Sequence, residues 1–321
     1  MTNKYYSMNK LHIDFDDLLI VPVTKSYINS RSECKLPEIL PLFTAPMDTV
    51  INEENMHIFK DFNICLPRLN RGLIANQDRF YSYGIEEFVR LFITEEPIFT
   101  KAYALIDVAN GHMSSVHTAV KEAKKIHGDS LTLMVGNIAN PDTFEMLQEC
   151  GADYIRVGIG NGGGCLTTQQ TGVGYPMASL ISECKVVKRG TKLVADGGFK
   201  KCSDIIKALA LGADYVMLGS ILNRMQESAG ETVNYQGKPH KHFRGMSSKG
   251  VQEEWGREVL KTSEGIDKYF PVEYTYDQWV SNFKDYLKSA MSYTGCTTLE
   301  EFIGEVELIE ISKNAYNRFA K

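Results

Sequence analysis

From about residue 101 the chain alternates short apolar runs with helical periodicity, and that alternation limits the folds open to it. Residues 103–107, 131–135, 154–157, 192–195 and 215–218 are runs of four or five residues, each closed by Gly, Asp or Asn. Between them Val116, Ala119, Val120, Ala123 and Ile126 fall at helical spacing. Asn140 with Pro141 is a helix start, followed by Phe144 and Leu147 facing inward. Residues 177–187 read as a helix, and Ile205, Ala208 and Leu209 mark another that Gly212 stops. Strand followed by helix, recurring about every 25–35 residues, is the rhythm of a parallel sheet with crossover helices.

An internal echo narrows this further. Residues 151–158 (GADYIRVG) and 212–219 (GADYVMLG) match in five of eight positions, 61 residues apart. Two βα units fit in that span, so the expected fold is a TIM (β/α)8 barrel, with 1–321 as a single domain. A doubly wound open sheet is the alternative, but Gly158, Gly160 and Gly163 form only a partial dinucleotide fingerprint. They come mid-chain and lead into Cys-Leu-Thr-Thr instead of a helix pattern. Before residue 100 the periodicity is weak, with short apolar strands expected within 15–22 and 41–48. Near the C-terminus Trp279, Phe283, Tyr286, Leu287 and Ala290 follow helical spacing, and Thr298 with Glu301 is a capping box.

A barrel does its chemistry at the C-terminal ends of its strands. Those ends carry 107–111 (DVANG), Gly136-Asn137, 158–165, Asp196-Gly197-Gly198 and Gly219-Ser220. The third contains Gly160, Gly162, Gly163 and Gly164 before Cys165, with Thr167 two residues on. Glycines this dense suit a loop that places its own backbone groups against a ligand or ion. The last two ends offer unobstructed amides of the kind that hold phosphate after late barrel strands. A nucleotide or sugar phosphate is therefore the expected ligand class. A segment at about 235–270 breaks the rhythm, is polar, shows neither strand nor helix period, and reads as a flap.

Seven scattered cysteines, an odd number without a CxxC pair, point away from disulfides and structural zinc and toward a reducing compartment. Apart from Cys165 they read as buried small hydrophobes. A net charge of −5 leaves no basic footprint for nucleic acid. No apolar run is long enough to span a membrane, and residues 1–17 lack a secretory-signal pattern.

These stretches together carry a resemblance. Residues 45–50 (APMDTV), 107–111, Gly158 through Thr167, 171–176 (TGVGYP), 196–198, 245–248 (GMSS) and 263–265 (SEG) are collinear over most of the chain. The ordered set resembles the inosine-monophosphate dehydrogenase and GMP reductase family, with its reductase branch the nearer. The resemblance implies a cytoplasmic, tetrameric barrel in which Cys165 attacks C2 of a purine nucleotide. In the reductase direction GMP loses ammonia, NADPH supplies hydride and IMP is released. Thr167 and Glu264 would relay the proton to the departing amine.

Further roles follow from the same resemblance. Asp196, Gly197, Gly198, Gly219, Ser220, Gly245, Met246, Ser247, Lys261, Ser263 and Gly265 would hold the nucleotide. Ser30, Arg31, Asp107, Val108, Ala109, Ile159, Gly160, Ser289, Ala290, Met291 and Ser292 would border the nicotinamide cofactor. Gly160, Gly162, Cys165 and Thr168 would supply oxygens to a monovalent cation, potassium above all.

Two features favour the reductase. There is no room between Val50 and Tyr103 for the dehydrogenase's regulatory insert, and no Arg-Tyr dipeptide lies between Ser248 and Ser263 to activate water. Ala45-Pro46 and Gly219-Ser220 lean to the dehydrogenase. The chain also departs from the reductase pattern Gly-Pro-Gly-Ser-Val-Cys-Thr-Thr-Arg, reading GNGGGCLTT over 160–168. Loss of Pro and gain of Gly are expected to loosen that loop, and Lys261 replaces an Arg. A dehydrogenase lacking its insert, and an inactive purine-nucleotide-binding protein, are the competing readings.

Overall fold

A computed structural model describes residues 11–68, 78–95, 97–254 and 262–319. Eight parallel strands form one sheet: β1 (Leu42–Thr44), β2 (Ile64–Leu66), β3 (Arg79–Tyr83), β4 (Ala102–Asp107), β5 (Leu131–Ile138), β6 (Tyr154–Val157), β7 (Lys192–Asp196) and β8 (Tyr215–Leu218). Their order is β1-β8-β7-β6-β5-β4-β3-β2. The ends meet where Phe43 bridges Asn63, with Thr44 N donating to Asn63 O at 3.1 Å and Asn63 N to Leu42 O at 2.9 Å. The sheet is thus a closed barrel, which excludes the doubly wound alternative.

The barrel is filled, not hollow. Phe43, Cys65, Phe80, Leu105, Met134, Val194 and Met217, from seven of the eight strands, form a buried inner cluster. Tyr103, Tyr154 and Tyr215 pack against it. Their alternation with residues such as Ala104, Ile155 and Val216, which face the helices, is the two-residue period of a strand buried on both faces.

The helices behave as their termini dictate. Asn140 accepts from Asp142 N at 2.8 Å with Pro141 at the first helical position, opening Pro141–Glu149. Gly212, at φ +112°, closes Cys202–Leu211 in the left-handed region. Thr298 caps Leu299–Phe302 in the expected box. The long helix Tyr276–Tyr293 packs beside Cys202–Leu211 and buries Trp279, Phe283, Leu287 and Met291.

The short strand expected within 15–22 is Leu18–Ile20, which pairs antiparallel with Leu308–Glu310 outside the barrel. Two expectations need correction. Strands β2 and β3 arise where no strand was expected. The segment after β8 is not irregular either. Thr232–Tyr235 (β9), Lys238–Arg244 (β10) and Asp267–Pro271 (β11) form an antiparallel sheet. All seven cysteines are unpaired, though Cys150 and Cys202 are partly exposed like Cys165. Among the described residues no helix is long and apolar enough to cross a membrane.

Candidate active site

The loop after β6 is held by its neighbours' backbones. Gly158 takes φ +133° with Asp196 O only 2.1 Å from where a Cβ would stand. Gly160 takes φ +81°, and its missing Cβ leaves the space that Thr168 Oγ1 fills, 1.6 Å from the ideal position. No other residue type fits either place. Cys165 N then donates to Gly162 O at 2.9 Å, closing a tight turn under the nucleophile candidate.

Beyond that turn the loop pairs with the flap. Leu166 N donates to Glu264 O at 2.7 Å, Ile266 N to Gly164 O at 3.0 Å, and Gly245 N to Ile266 O at 2.8 Å. Cys165 and Gly265 are antiparallel partners. Three backbones stack this closely because Gly164, Gly245 and Gly265 have no side chains. A Cβ on Gly245 would meet Gly164 O at 2.6 Å, and one on Gly265 would meet Ser248 N at 2.9 Å. The extra glycine at 164 also receives the Phe243 ring, at 3.0 Å from an ideal Cβ. The glycine-rich loop is therefore pinned, contrary to the loosening expected of it.

Pairing in this register aligns three side chains. Cys165 Sγ donates to Thr167 Oγ1 at 3.3 Å, and Thr167 Oγ1 donates to Glu264 Oε2 at 2.6 Å. A thiol, a hydroxyl and a carboxylate thus lie in one hydrogen-bonded line, all partly exposed. Such a line can carry a proton away from sulfur or toward a leaving group. The flap base is fixed as well: Arg244 pairs with Asp48, and Asn223 Nδ2 donates to Thr49 O and His242 O, both at 2.8 Å.

A second network lies inside the barrel mouth. Arg156, on β6 and only 6% exposed, donates to Asp107 Oδ1 and to Asp196 Oδ2, each at 2.8 Å. Asn137 Nδ2 donates to the same Asp196 Oδ2 at 2.8 Å and to Gly158 O at 2.9 Å. Burial alone would push a guanidinium toward losing its proton, but Asp196 and Asp107 reverse this and hold Arg156 more firmly charged than usual. The carboxylates at the ends of β4 and β7 are thereby set at a fixed separation. Arg156 was missed as a site residue, and Asn137 was read as part of a strand end at the site without a role of its own. A charge in the middle of an otherwise apolar strand, with an Asp at the end of β4 and of β7, was the available signal.

The two phosphate-type turns close on the Cys loop. The ideal Cβ of Gly197 lies 2.9 Å from Gly162 N, and that of Gly163 lies 3.2 Å from Ser220 Oγ. Gly197 and Gly198 both take positive φ.

The family described as IMP dehydrogenase / GMP reductase domain matches residues 102–318. The chain belongs to this family. Relatives include a protein named GMP reductase 2 from Mus musculus, 30% identical, with 95% of this chain and 96% of the relative aligned. A protein named GMP reductase from Bacillus cereus is 31% identical over 95% of this chain and 97% of its own length. The Homo sapiens GMP reductase 2 is 29% identical over 98% of each.

Against the family's frame, the expected site residues fall into groups. Cys165, Thr167, Glu264, Ser263, Gly265, Gly245, Met246 and Ser247 meet where the Cys loop pairs with the flap; Ser263 Oγ donates to Gly265 O at 2.7 Å. Asp196, Gly197, Gly198, Gly219 and Ser220 border them. Asp107, Val108, Ala109, Ile159 and Gly160 line the neighbouring strand ends. Ser30, Arg31, Ser289, Ala290, Met291 and Ser292 do not join these. They lie together at the C-terminal end of Tyr276–Tyr293, where Ser26 Oγ donates to Ser292 O at 2.8 Å and Arg31 pairs with Asp285 at 3.0 Å. The barrel's helices return antiparallel to its strands, so that end faces away from Cys165. Lys261 lies outside the described residues.

Proposed function

We propose that this protein is an oxidoreductase of the GMP reductase type, converting GMP to IMP and ammonia at Cys165. The observation that carries the reading is the line Cys165–Thr167–Glu264, in which a carboxylate from the flap touches the hydroxyl next to the thiol. Names of relatives aligned over nearly the whole chain support the same substrate.

In this reading the Cys165 thiol gives its proton to the Thr167–Glu264 line, and the sulfur bonds to C2 of the purine. The same line returns a proton to the 2-amino group, so that nitrogen leaves as ammonia and the purine stays attached through sulfur. Gly197, Gly198, Gly219 and Ser220 hold the 5′-phosphate by backbone amides and a hydroxyl. Asp196, already oriented by Arg156 and Asn137, accepts from the ribose. Gly245, Met246, Ser247, Ser263 and Gly265 cover the base.

Asp107, Val108, Ala109, Ile159 and Gly160 form a lip beside Cys165 suited to a nicotinamide, and Arg156 keeps the Asp107 carboxylate in place there. When held at that lip, NADPH would supply the hydride by which a C2–H bond replaces the C2–S bond, so that IMP leaves and the Cys165 sulfur is freed. We assign Ser30, Arg31 and 289–292 to a cofactor bound by a neighbouring subunit, within the homotetramer that the family resemblance implies. The oxygens of Gly160, Gly162, Cys165 and Thr168 fit a weakly held monovalent cation such as potassium. They are carbonyls and a hydroxyl without a carboxylate, and Thr168 Oγ1, as a donor to Val173 O at 2.7 Å, keeps its lone pairs. We take 1–321 as one catalytic barrel domain with a flap at about 235–270, working in the reducing cytoplasm that seven unpaired cysteines suit.

The test is a pair of assays at the nicotinamide absorbance band. Loss of NADPH with GMP is expected, whereas NADH formation from IMP and NAD would make the protein a dehydrogenase. Cys165→Ala should abolish turnover and leave GMP binding intact; near-normal activity in that variant would sink the mechanism.

A further inference from the structure

A cavity of about 960 Å³ opens on the phosphate side of the site. Gly163 and Ser220 belong to its wall, whereas Cys165, Thr167, Asp196 and Glu264 do not. It therefore continues outward from the phosphate turns, away from the reacting carbon. Its volume is several times what one phosphate group needs.

The charge of the wall is lopsided. Lys200, Lys201, Arg224 and Lys268 line it, against the single carboxylate of Glu273. Glu273 is already paired with Arg224, and Lys201 is turned to Asp16 at 3.3 Å. Among the described residues neither Lys200 nor Lys268 has an acidic partner. Arg224 and Lys268 are both drawn to the Phe270 ring, at 4.5 and 4.7 Å from its centroid. Glu273 already neutralises Arg224, which leaves Lys268, held on the same ring, as the cation free to meet an added anion. The rest of the wall mixes aromatic rings, Trp279 and Tyr286, with the hydrogen-bonding side chains of Ser203 and Asn282, which suit a polar ligand beside the cations.

We propose that this cavity takes the distal phosphate of a purine nucleoside 5′-diphosphate, so that the site accepts GDP as well as GMP. The inference rests on the nucleotide reading above, with the proximal phosphate on Gly197, Gly198 and Ser220. Lys200 and Lys268 are the distal-phosphate ligands, and Phe270 positions Lys268.

Calorimetric titration of the full chain with GMP and with GDP tests it, alongside the double variant Lys200→Ala/Lys268→Ala. The wild type should bind GDP at least as tightly as GMP, each excluding the other. The double variant should lose about tenfold more affinity for GDP than for GMP, the weight of a charge-assisted contact. A melting curve of the ligand-free variant checks its fold. GDP binding more than tenfold weaker than GMP, equal losses for both, or simultaneous binding of the two would each overturn the inference. GMP turnover with failed GDP binding removes this inference alone; failure to bind either nucleotide removes the functional reading too.

Discussion

Replacing Thr167 by Val isolates the joint in the proposed relay. Valine keeps the branched shape and volume but deletes the oxygen that lies 3.3 Å from Cys165 Sγ and 2.6 Å from Glu264 Oε2. Sulfur and carboxylate then have no hydrogen-bonded route between them. General acid–base help of this kind contributes roughly 10²–10⁴-fold to a rate, or about 3–5 kcal/mol of barrier. The stability loss is smaller. The short bond to Glu264 is charge-assisted, but it joins partly exposed groups, so about 1 kcal/mol is reasonable. Glu264 also stays in register, because its backbone carbonyl still accepts from Leu166 N at 2.7 Å. We expect kcat for GMP to fall at least about 100-fold. The dissociation constant for GMP should change by less than about threefold, and the melting temperature by less than about 4 °C. Thr167→Ser, which restores the hydroxyl, should recover most of the rate. Steady-state kinetics with calorimetric GMP titration measures all of this. If Thr167→Val keeps more than about a tenth of wild-type kcat, or fails because it no longer binds GMP, the relay is not how protons move here.

Two other perturbations address the barrel interior. Arg156→Met leaves Asp107 and Asp196 facing each other at the mouth without their shared partner. Because both carboxylates keep some solvent contact, a loss of about 2–4 kcal/mol is expected in urea unfolding, with weakened GMP binding through Asp196. The second concerns alkaline stability. Burial raises the Cys65 thiol from 9.0 to about 12, with Arg156 only partly opposing this. A folded pKa above the unfolded one means the contribution is full below 9 and is lost as pH rises toward 12. Cys65→Ala should therefore lose less stability than wild type across that window in pH-dependent melting.

How much was readable beforehand follows the physics of each segment. Strands β4 to β8 are buried on both faces and alternate with amphipathic helices, so periodicity exposes them. Strand β2 has three residues and β3 reads Arg-Phe-Tyr-Ser-Tyr, too short or too mixed for a period to emerge. The flap strand β10 hid for a different reason. Its inward positions are Lys241 and Phe243, and the lysine is buried with Nζ donating to Ser228 O and Gly230 O at 2.8 and 3.1 Å. Binary patterning scores that residue as surface. Glu264 was legible only by resemblance, since its partner Thr167 lies 97 residues away.

The pairing of residues 164–166 with 264–266 has a consequence for timing. The backbone bonds that bring Glu264 to Thr167 are the same ones that join the flap to the Cys loop, so in the proposed mechanism closing the site and completing the proton route from Cys165 would be one event. A flap that lifted to release product would have to unzip them, and the open enzyme would then lack the relay.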